Sequence, residues 1–279
     1  MPRAIKFVSR VIVLYCVAML AQTSALAATL QFHFEGEFSS QEQAQLITWI
    51  EQTDRALTAL VGQLPFTRHI YFHRMANARE PVPWAHTQRR PNQGVHLHVD
   101  PSYPQAEFVA DWTAPHELSH LVLPYLGEHN AWLAEGFASY MQYQVMAEMG
   151  VLNKADLHER YAEKFQRAEG RFELTDLPFA DAAPKLRQAR QFPTMYWGGA
   201  VYFWQLDRWL ARHTDADLTS VLRSYINCCR AGTTHLRQLI DHLDRITNQQ
   251  IFSAYLSRFE THPGFPDYRN IPRLPVNNG

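Results

Sequence analysis

Two histidines lie four residues apart in the segment "HELSH", with a glutamate directly after the first of them. Positions four apart project from one face of a helix, so His116 and His120 can offer imidazole nitrogens to a single ion. Zn²⁺ accepts such nitrogens at about 2.0–2.1 Å. Glu117 projects about 100° further round the helix, where it can reach a water on the metal rather than the metal itself. This spacing indicates a zinc site with a general base beside it.

A third protein ligand must come from another element if one coordination position is to stay open for water. The run "NAWLAEGFASYMQYQVMAEMG" has helical character and contains Glu135. Residues 124–130 supply a turn, so this second helix can run back beside the first and bring Glu135 toward the histidines. Two histidines, a carboxylate and a water form the open tetrahedral site of a zinc hydrolase. The alternative is a surface helix that bears two unrelated histidines.

Hydrophobic periodicity predicts the elements that must position these residues. Alternation predicts three strands, at residues 29–35, 68–74 and 94–100. Ser39 and Glu42 form a capping box before a helix that ends near Gly62. Between the second and third strands the sequence is typical of a loop, rich in proline and arginine. From Trp112 onward the pattern is one helix after another, so we predict an α+β fold.

The predicted organisation has three parts: a signal peptide at residues 1–27, an N-terminal α/β lobe at 28–110 and a helical catalytic lobe at 111–279. Positive residues precede a short apolar run near the start, and the small residues 25–27 suit a cleavage site. The alternative is an uncleaved anchor, but the apolar run is too short to span a bilayer comfortably. We therefore expect export, with the protein periplasmic or extracellular and not stably inserted in a membrane.

Composition narrows the range of partners. The chain has 279 residues, of which 46% are hydrophobic and 19% are charged, as expected for a globular protein. Its formal net charge of −1 gives no electrostatic reason to expect nucleic acid or an anionic membrane as a partner.

The segments "HELSH" and "WLAEGFASY" together resemble the gluzincin metallopeptidases, in particular the aminopeptidase N and glycyl aminopeptidase families. Their second motif commonly reads Trp-Leu-x-Glu-Gly-Phe-Ala. The resemblance implies a zincin-like (thermolysin-like) two-lobed catalytic domain, in which His116, His120 and Glu135 bind one Zn²⁺ ion and Glu117 is the general base. It is specific over residues 113–140. The gap between His120 and Glu135 is shorter than in aminopeptidase N relatives, which implies a trimmed connecting loop.

The segment "TMYWGGAVYFWQLDRWL" is similar to the Tyr-x-x-Gly segment of those families, in which the tyrosine hydrogen-bonds the oxyanion formed as water attacks. The resemblance makes Tyr196 the candidate for this role. The alternative is a tyrosine packed at the start of a helix.

The strand that holds the substrate's amino terminus in aminopeptidase N relatives, Gly-x-Met-Glu-Asn, has no match in this sequence. Aminopeptidase specificity is therefore not carried over. We assign the corresponding position to "GVHLHVD", residues 94–100, as an exposed edge strand that could pair with an extended peptide. His96 and His98 share one face of that strand. We expect this face to be solvated, and the alternatives are a second metal site or a contact with substrate.

Once the signal peptide is removed, Cys228 and Cys229 are the two remaining cysteines. They could form a ring disulfide, or one could pair with another chain. The sequence "LRSYINCCRAG" favours a third interpretation, two small buried apolar residues in a helix.

The predicted function is that of a secreted zinc metallopeptidase acting on peptides or proteins, without a choice between internal and terminal cleavage. One alternative is a zinc amidohydrolase that acts on a non-protein or cell-wall peptide amide with the same residues. Another is a non-catalytic binding module on a zincin fold, although neither Glu117 nor a ligand is lost. A third is a helical structural protein without metal.

Overall fold

The computed structural model describes residues 29–270, a mixed α+β chain with one four-stranded sheet and a mostly helical remainder. The predicted signal peptide lies outside the described residues. Within residues 29–270, no helix combines the length and the apolar character needed to cross a membrane.

The sheet is formed by β1 (Leu30–Glu35), β2 (Arg68–Arg74), β3 (Trp84–Gln88) and β4 (Gly94–Val99). Their spatial order is β1-β2-β4-β3. Strands β1, β2 and β4 run parallel, whereas β3 pairs antiparallel with β4 and forms one edge of the sheet. One face of β2 and β4 is fully buried and belongs to the same hydrophobic cluster as the first helix, through side chains that include Ile70, Phe72, Val95 and Leu97.

The three predicted strands and the capping box are confirmed. Helix α1 (Ser40–Val61) begins where the Ser39 hydroxyl accepts from the backbone N–H of Glu42 and the Glu42 carboxylate accepts from Ser39 N–H at 2.7 Å. It ends at Gly62, whose φ of +86° favours glycine.

The predicted loop between the second and third strands contains a further strand, β3. This strand is five residues long and none of its residues is buried, so it has little of the apolar alternation from which a strand is recognised. Its presence makes β4 an interior strand. The prediction that residues 94–100 form the exposed edge is therefore wrong, because β3 takes that position.

The remainder of the described chain is helical, as predicted from Trp112 onward. The helices are α2 (Gln105–Ala110), α3 (Thr113–His120), α4 (Ala131–Glu148), α5 (Leu157–Glu169), α6 (Phe179–Gln188), α7 (Phe192–His213), α8 (Leu218–Cys228), α9 (Leu236–Thr247) and α10 (Ile251–Thr261). Of these, α2 and α6 were not predicted. Helix α1 packs against α4 and α8. The division into two lobes near residue 110 stays a prediction.

The two cysteines form a disulfide with each other where α8 ends. Cys228 is exposed and Cys229 is half-buried, because the buried side of α8 is already occupied by residues such as Tyr225 and Ile226. The interpretation of two buried apolar residues is wrong, and the ring disulfide is the pairing that the structure shows.

Helices α4 and α7 approach each other closely at two glycines. A Cβ atom on Gly199 would lie 2.1 Å from the backbone oxygen of Trp132, and one on Gly136 would lie 2.2 Å from the carbonyl carbon of Gly199. Both obstacles are backbone atoms, so a side chain here forces the helices apart. Gly136 directly follows Glu135, and Gly199 lies one turn beyond Tyr196. The contact therefore sets how closely these two candidate site residues can approach.

We expect Gly199→Ala to lower the free energy of unfolding by about 3 kcal/mol, because the added methyl group overpacks a backbone contact. Denaturant unfolding measures the change. Gly232→Ala is the matched control, since its Cβ would meet no atom within 4 Å, and we expect a change within about 0.5 kcal/mol. Equal stability of the two variants would contradict the close contact.

Candidate metal centre

Helix α3 carries the two histidines on its buried side. His116 and His120 are 3% and 8% exposed. The helix begins where the Asp111 carboxylate accepts from the backbone N–H of Thr113 at 2.7 Å, so Asp111 supplies the polar contact at the start of the helix. It ends at His120, ahead of Pro124. The helix predicted from the spacing of the two histidines is therefore present.

Glu135, from α4, meets both histidines. Its Oε2 atom lies 3.2 Å from Nε2 of His116 and 3.5 Å from Nε2 of His120. Ligand atoms of a tetrahedral zinc site with bonds of about 2.0–2.1 Å lie about 3.3 Å apart. The predicted trio therefore has the spacing of a zinc donor set. Across residues 29–270, it is the one group of three histidine, cysteine or acidic residues whose ligand atoms gather within 4.8 Å.

Nδ1 of His116, the ring nitrogen that faces away from Glu135, also has a partner. Nδ1 lies 3.0 Å from Oε1 of Gln142, which is buried two turns beyond Glu135 on α4. Because the amide oxygen only accepts, Nδ1 donates to it, and Nε2 is the nitrogen that meets Glu135 and could bind a metal ion. Such an outer partner fixes the tautomer and the orientation of a metal-binding imidazole. Gln142 was not predicted from the sequence. The available signal was its position seven residues after Glu135, which places both side chains on the same face of a helix.

The charges of the cluster favour a cation among the three ligand atoms. Burial raises the pKa of Glu135, but the imidazoles of His120 and His116 outweigh burial and hold that pKa well below its usual range. Burial lowers the pKa of His116, and the Glu135 carboxylate more than reverses this. A half-buried carboxylate that remains ionised between two imidazoles is a suitable environment for a divalent metal ion.

Glu117 lies at the interface between α3 and the edge strand. The Thr87 hydroxyl, on β3, is 2.8 Å from Oε2 of Glu117 and 3.3 Å from its main-chain oxygen. Since a carboxylate only accepts, the hydroxyl donates to it and fixes its orientation. Thr87 was not predicted, because the strand that carries it was read as a loop.

Tyr196 lies next to the cluster, near the start of α7. Its ring stacks with that of His116 at a centroid separation of 6.0 Å. Burial, together with the carboxylates of Glu135 and Glu117, raises the pKa of Tyr196 well above its usual value. The side chain therefore remains a neutral phenol with an O–H group to donate.

A cleft of about 540 Å³ opens over this group of residues. One wall is β3, and the other comes from the segment between α3 and α4 together with the last turn of α6. Three large aromatic side chains in its lining are about half exposed, namely Trp84, Trp112 and Tyr125. A concave site of this size with convergent polar groups is typical of ligand and substrate binding.

Two arginines, the half-buried Arg89 and the buried Arg230, hold the carboxyl end of α3. Arg89 donates to the main-chain oxygens of His120 and Leu123 at 2.7 and 3.0 Å. Arg230 donates to three neighbouring main-chain oxygens at 2.7–3.1 Å, those of Leu121, Val122 and Leu123. Burial, with a contribution from the nearby Arg230, lowers the pKa of Arg89 to about 10, so both guanidiniums are charged at neutral pH. They satisfy carbonyl groups that a helix end leaves without partners.

Comparison with known proteins identifies solved structures of similar fold. No protein-family model and no curated protein matches the sequence. A two-domain M1 zinc metallopeptidase, in a mutant form bound to L-arginine, matches with a TM-score of 0.54 and 15% identity over 87% of this chain and 50% of that chain. An M1 zinc metallopeptidase from Deinococcus radiodurans matches with a TM-score of 0.52 and 16% identity, over 87% and 51% of the two chains.

A mutant of the Deinococcus radiodurans enzyme bound to a Tyr-Ser-Ala substrate is also similar, with a TM-score of 0.51 and 16% identity over 84% and 49% of the two chains. The chain thus spans about half the length of these structures. At this identity the similarity establishes the fold, which is similar to that of the M1 zinc metallopeptidases, the aminopeptidase N family of gluzincins.

We expect Arg230→Met to lower the free energy of unfolding by about 2–4 kcal/mol, because three main-chain oxygens lose a charged donor in a buried place. Chemical denaturation measures the change. The matched control is Arg237→Met, an exposed arginine on α9, for which we expect less than about 0.5 kcal/mol. A loss no greater than that of the control would show that Arg230 does not stabilise the end of α3.

Proposed function

We propose that this protein is a zinc-dependent peptidase that hydrolyses peptide bonds. The observation that carries the proposal is the convergence of His116, His120 and Glu135, with ligand atoms 3.2 and 3.5 Å apart, beneath an open cleft and next to a further carboxylate. The similarity of the fold to M1 zinc metallopeptidases supports it.

His116, His120 and Glu135 would hold the zinc ion and leave a position open for water and substrate. Two imidazoles and one carboxylate are a donor set that Zn²⁺ prefers in catalytic sites. When bound, the ion supplies Lewis acidity, which activates water and polarises a carbonyl group.

Glu117 is the proposed general base. Thr87 donates to one of its carboxylate oxygens at 2.8 Å, so the other oxygen accepts the proton of the attacking water. The same carboxyl group then passes that proton to the nitrogen of the leaving amine, because an amide nitrogen leaves as a neutral amine. Glu117 ends the cycle ionised, as it began.

Tyr196 is the proposed donor to the oxyanion. A neutral phenol at the wall of the cleft can hydrogen-bond the substrate oxygen as negative charge develops on it. This bond is stronger to the oxyanion than to the ground-state carbonyl, so it lowers the barrier rather than only tightening binding.

Strand β3 is the proposed docking edge for the substrate. One side of β3 pairs with β4, and among residues 29–270 no strand pairs with the other side. An extended peptide can add to such an edge through main-chain hydrogen bonds. Residues of β3, including Thr87, line the cleft, so a peptide bound there would pass over the candidate metal centre.

Export remains part of the proposal. The pattern of residues 1–27 is that of a signal peptide. The disulfide between Cys228 and Cys229 supports an oxidising compartment such as the periplasm or the extracellular space.

We expect Glu117→Gln to keep one zinc ion per chain but to hydrolyse peptides at least about 100-fold more slowly, because the amide cannot accept the proton of water. Metal analysis of the purified protein gives the zinc content. Digestion of a peptide library, read by mass spectrometry with and without a chelator, gives the activity. The control is Glu107→Gln on α2, an exposed glutamate, which we expect to retain full activity.

Two results would count against this function. If the wild-type protein contains no zinc after purification and reconstitution, the proposed metal centre is wrong. The zinc-loaded protein could instead leave the whole peptide library intact and hydrolyse cell-wall peptide amides. That result would make the protein an amidohydrolase that uses the same residues.

We expect Thr87→Val to lower kcat about 10-fold with little change in KM, since the carboxylate of Glu117 loses the donor that orients it while the rest of the cleft is kept. Steady-state kinetics on a peptide found in the library screen measure both constants. Thr87→Ser retains the hydroxyl and should restore most of kcat. A change confined to KM, or no rescue by serine, would assign Thr87 to substrate binding or packing instead.

A further inference from the structure

Large hydrophobic side chains that stay exposed are concentrated around the cleft. Residues 29–270 contain five of them, and the three that line the cleft are Trp84, Trp112 and Tyr125. A fourth, Phe192, packs against Tyr196 with 6.2 Å between the ring centroids. The fifth, Met75, is not part of the lining. An exposed apolar patch within a concave site is typical of a surface that binds an apolar group.

Trp112 lies directly beside the candidate metal centre. Its ring meets that of His116 edge to face, with 5.5 Å between the centroids and an angle of 89° between the planes. The ring of Tyr196, the proposed donor to the oxyanion, stacks with the same imidazole. Because both rings adjoin one proposed metal ligand, a substrate side chain next to the scissile bond comes within reach of the indole.

The backbone holds Trp112 in this position. Helix α3 begins at this residue, and its main-chain oxygen accepts from the backbone N–H of His116 at 3.1 Å. The next residue, Thr113, donates its backbone N–H to the Asp111 carboxylate. A tryptophan on a fixed backbone presents a large apolar surface at a low cost in conformational entropy when a ligand binds.

Trp84 supplies a second aromatic surface, on the proposed docking edge β3. Its ring packs against those of His86 and His98 with 4.7 and 4.5 Å between the centroids. Side chains alternate along a strand, so Trp84 lies on the opposite face from Thr87, which contacts α3. The side chains of a peptide added to β3 alternate in the same way. One set therefore lies beside Trp84, and the other points toward α3 and Trp112.

The arginines of the cleft lining already have partners inside the protein. Arg89 donates to main-chain oxygens at the end of α3. Arg187 forms an ion pair with Glu128, whose carboxylate also accepts from the hydroxyl of Tyr125 at 3.0 Å. The lining contains no lysine. The cleft therefore offers aromatic surface to an apolar side chain of a substrate, but no unpaired arginine or lysine to an acidic one.

We propose that the cleft selects peptides with a large apolar side chain, above all an aromatic one, next to the scissile bond, and that Trp112 recognises it. This selection rests on the proposed peptidase function and names its class of substrate. An aromatic side chain buries about 150–250 Å² and gains further by packing against a second ring. Alanine offers little of this surface. We expect kcat/KM for a phenylalanine peptide to exceed that for the matching alanine peptide about 100-fold.

The experiment starts from a peptide that the zinc-loaded wild type cleaves in the library screen. Each residue flanking the cleaved bond is replaced in turn by phenylalanine, leucine, alanine, glutamate and lysine, and kcat/KM is measured for each peptide. Trp112→Ala should reduce the preference for phenylalanine over alanine to about 10-fold or less, and Trp112→Phe should restore most of it. Met75→Ala is the matched control, an exposed apolar residue outside the cleft, and should keep the full preference.

The ratio between two peptides separates recognition from a structural role for Trp112. Metal analysis shows whether Trp112→Ala still holds zinc. If this variant loses activity equally on the phenylalanine and alanine peptides, Trp112 supports His116 rather than the substrate, and its proposed role is wrong. A wild type that cleaves the two peptides equally well, or that prefers glutamate or lysine, overturns the selection itself.

A binding measurement distinguishes this inference from the peptidase function, because it needs no hydrolysis. Calorimetry on zinc-loaded Glu117→Gln should show the phenylalanine peptide binding about 10-fold more tightly than the alanine peptide. Such a difference in a protein whose wild type cleaves no peptide would contradict the peptidase function alone. Cleavage without any preference would contradict the selection alone, and the absence of both cleavage and preferential binding would contradict both.

Discussion

The close contact between α4 and α7 at Gly136 and Gly199 is the constraint on which the candidate site depends. Glu135 can reach the two histidines only if α4 lies close to α3, and Tyr196 can stack beside them only if α7 lies close to α4. Helix α3 is short, and short helices are marginal on their own. The main-chain oxygens at the end of α3 therefore accept from Arg89, which follows β3, and from Arg230, which follows α8. The histidines of α3 contact Gln142 and Glu135 of α4.

The small sheet presents different side chains at its edge and on its outer face. Its edge strand β3 lies along the cleft, and Thr87 of that strand contacts the proposed base. The opposite face presents stacked imidazoles to solvent instead of the usual mixture of lysine, glutamate and threonine. The antiparallel addition of β3 to three parallel strands puts Thr87 on the side of α3 and Gln88 on the side of His96.

The features that could be predicted from the sequence are those set by the spacing of residues within a single helix or strand. The four-residue interval of the histidines, the capping box of α1 and the apolar periodicity of most later helices are all short-range patterns. Glu135 was also found in this way, because its motif is contiguous and only a turn separates it from the histidines. The structure brings these predicted ligands together at the spacing that a tetrahedral ion requires.

The tertiary structure alone decided the contacts between elements far apart in the chain. Arg230 reaches the end of α3 across more than 100 residues, and Thr87 reaches Glu117 across 30. Their roles depend on which elements become neighbours, and the sequence periodicity of a single strand or helix carries no such information. The same reason explains why β3 was read as a loop and Cys228 as a buried residue. A short exposed strand is stabilised by its partner strand, and the exposed position of a helix end is set by what packs against the helix.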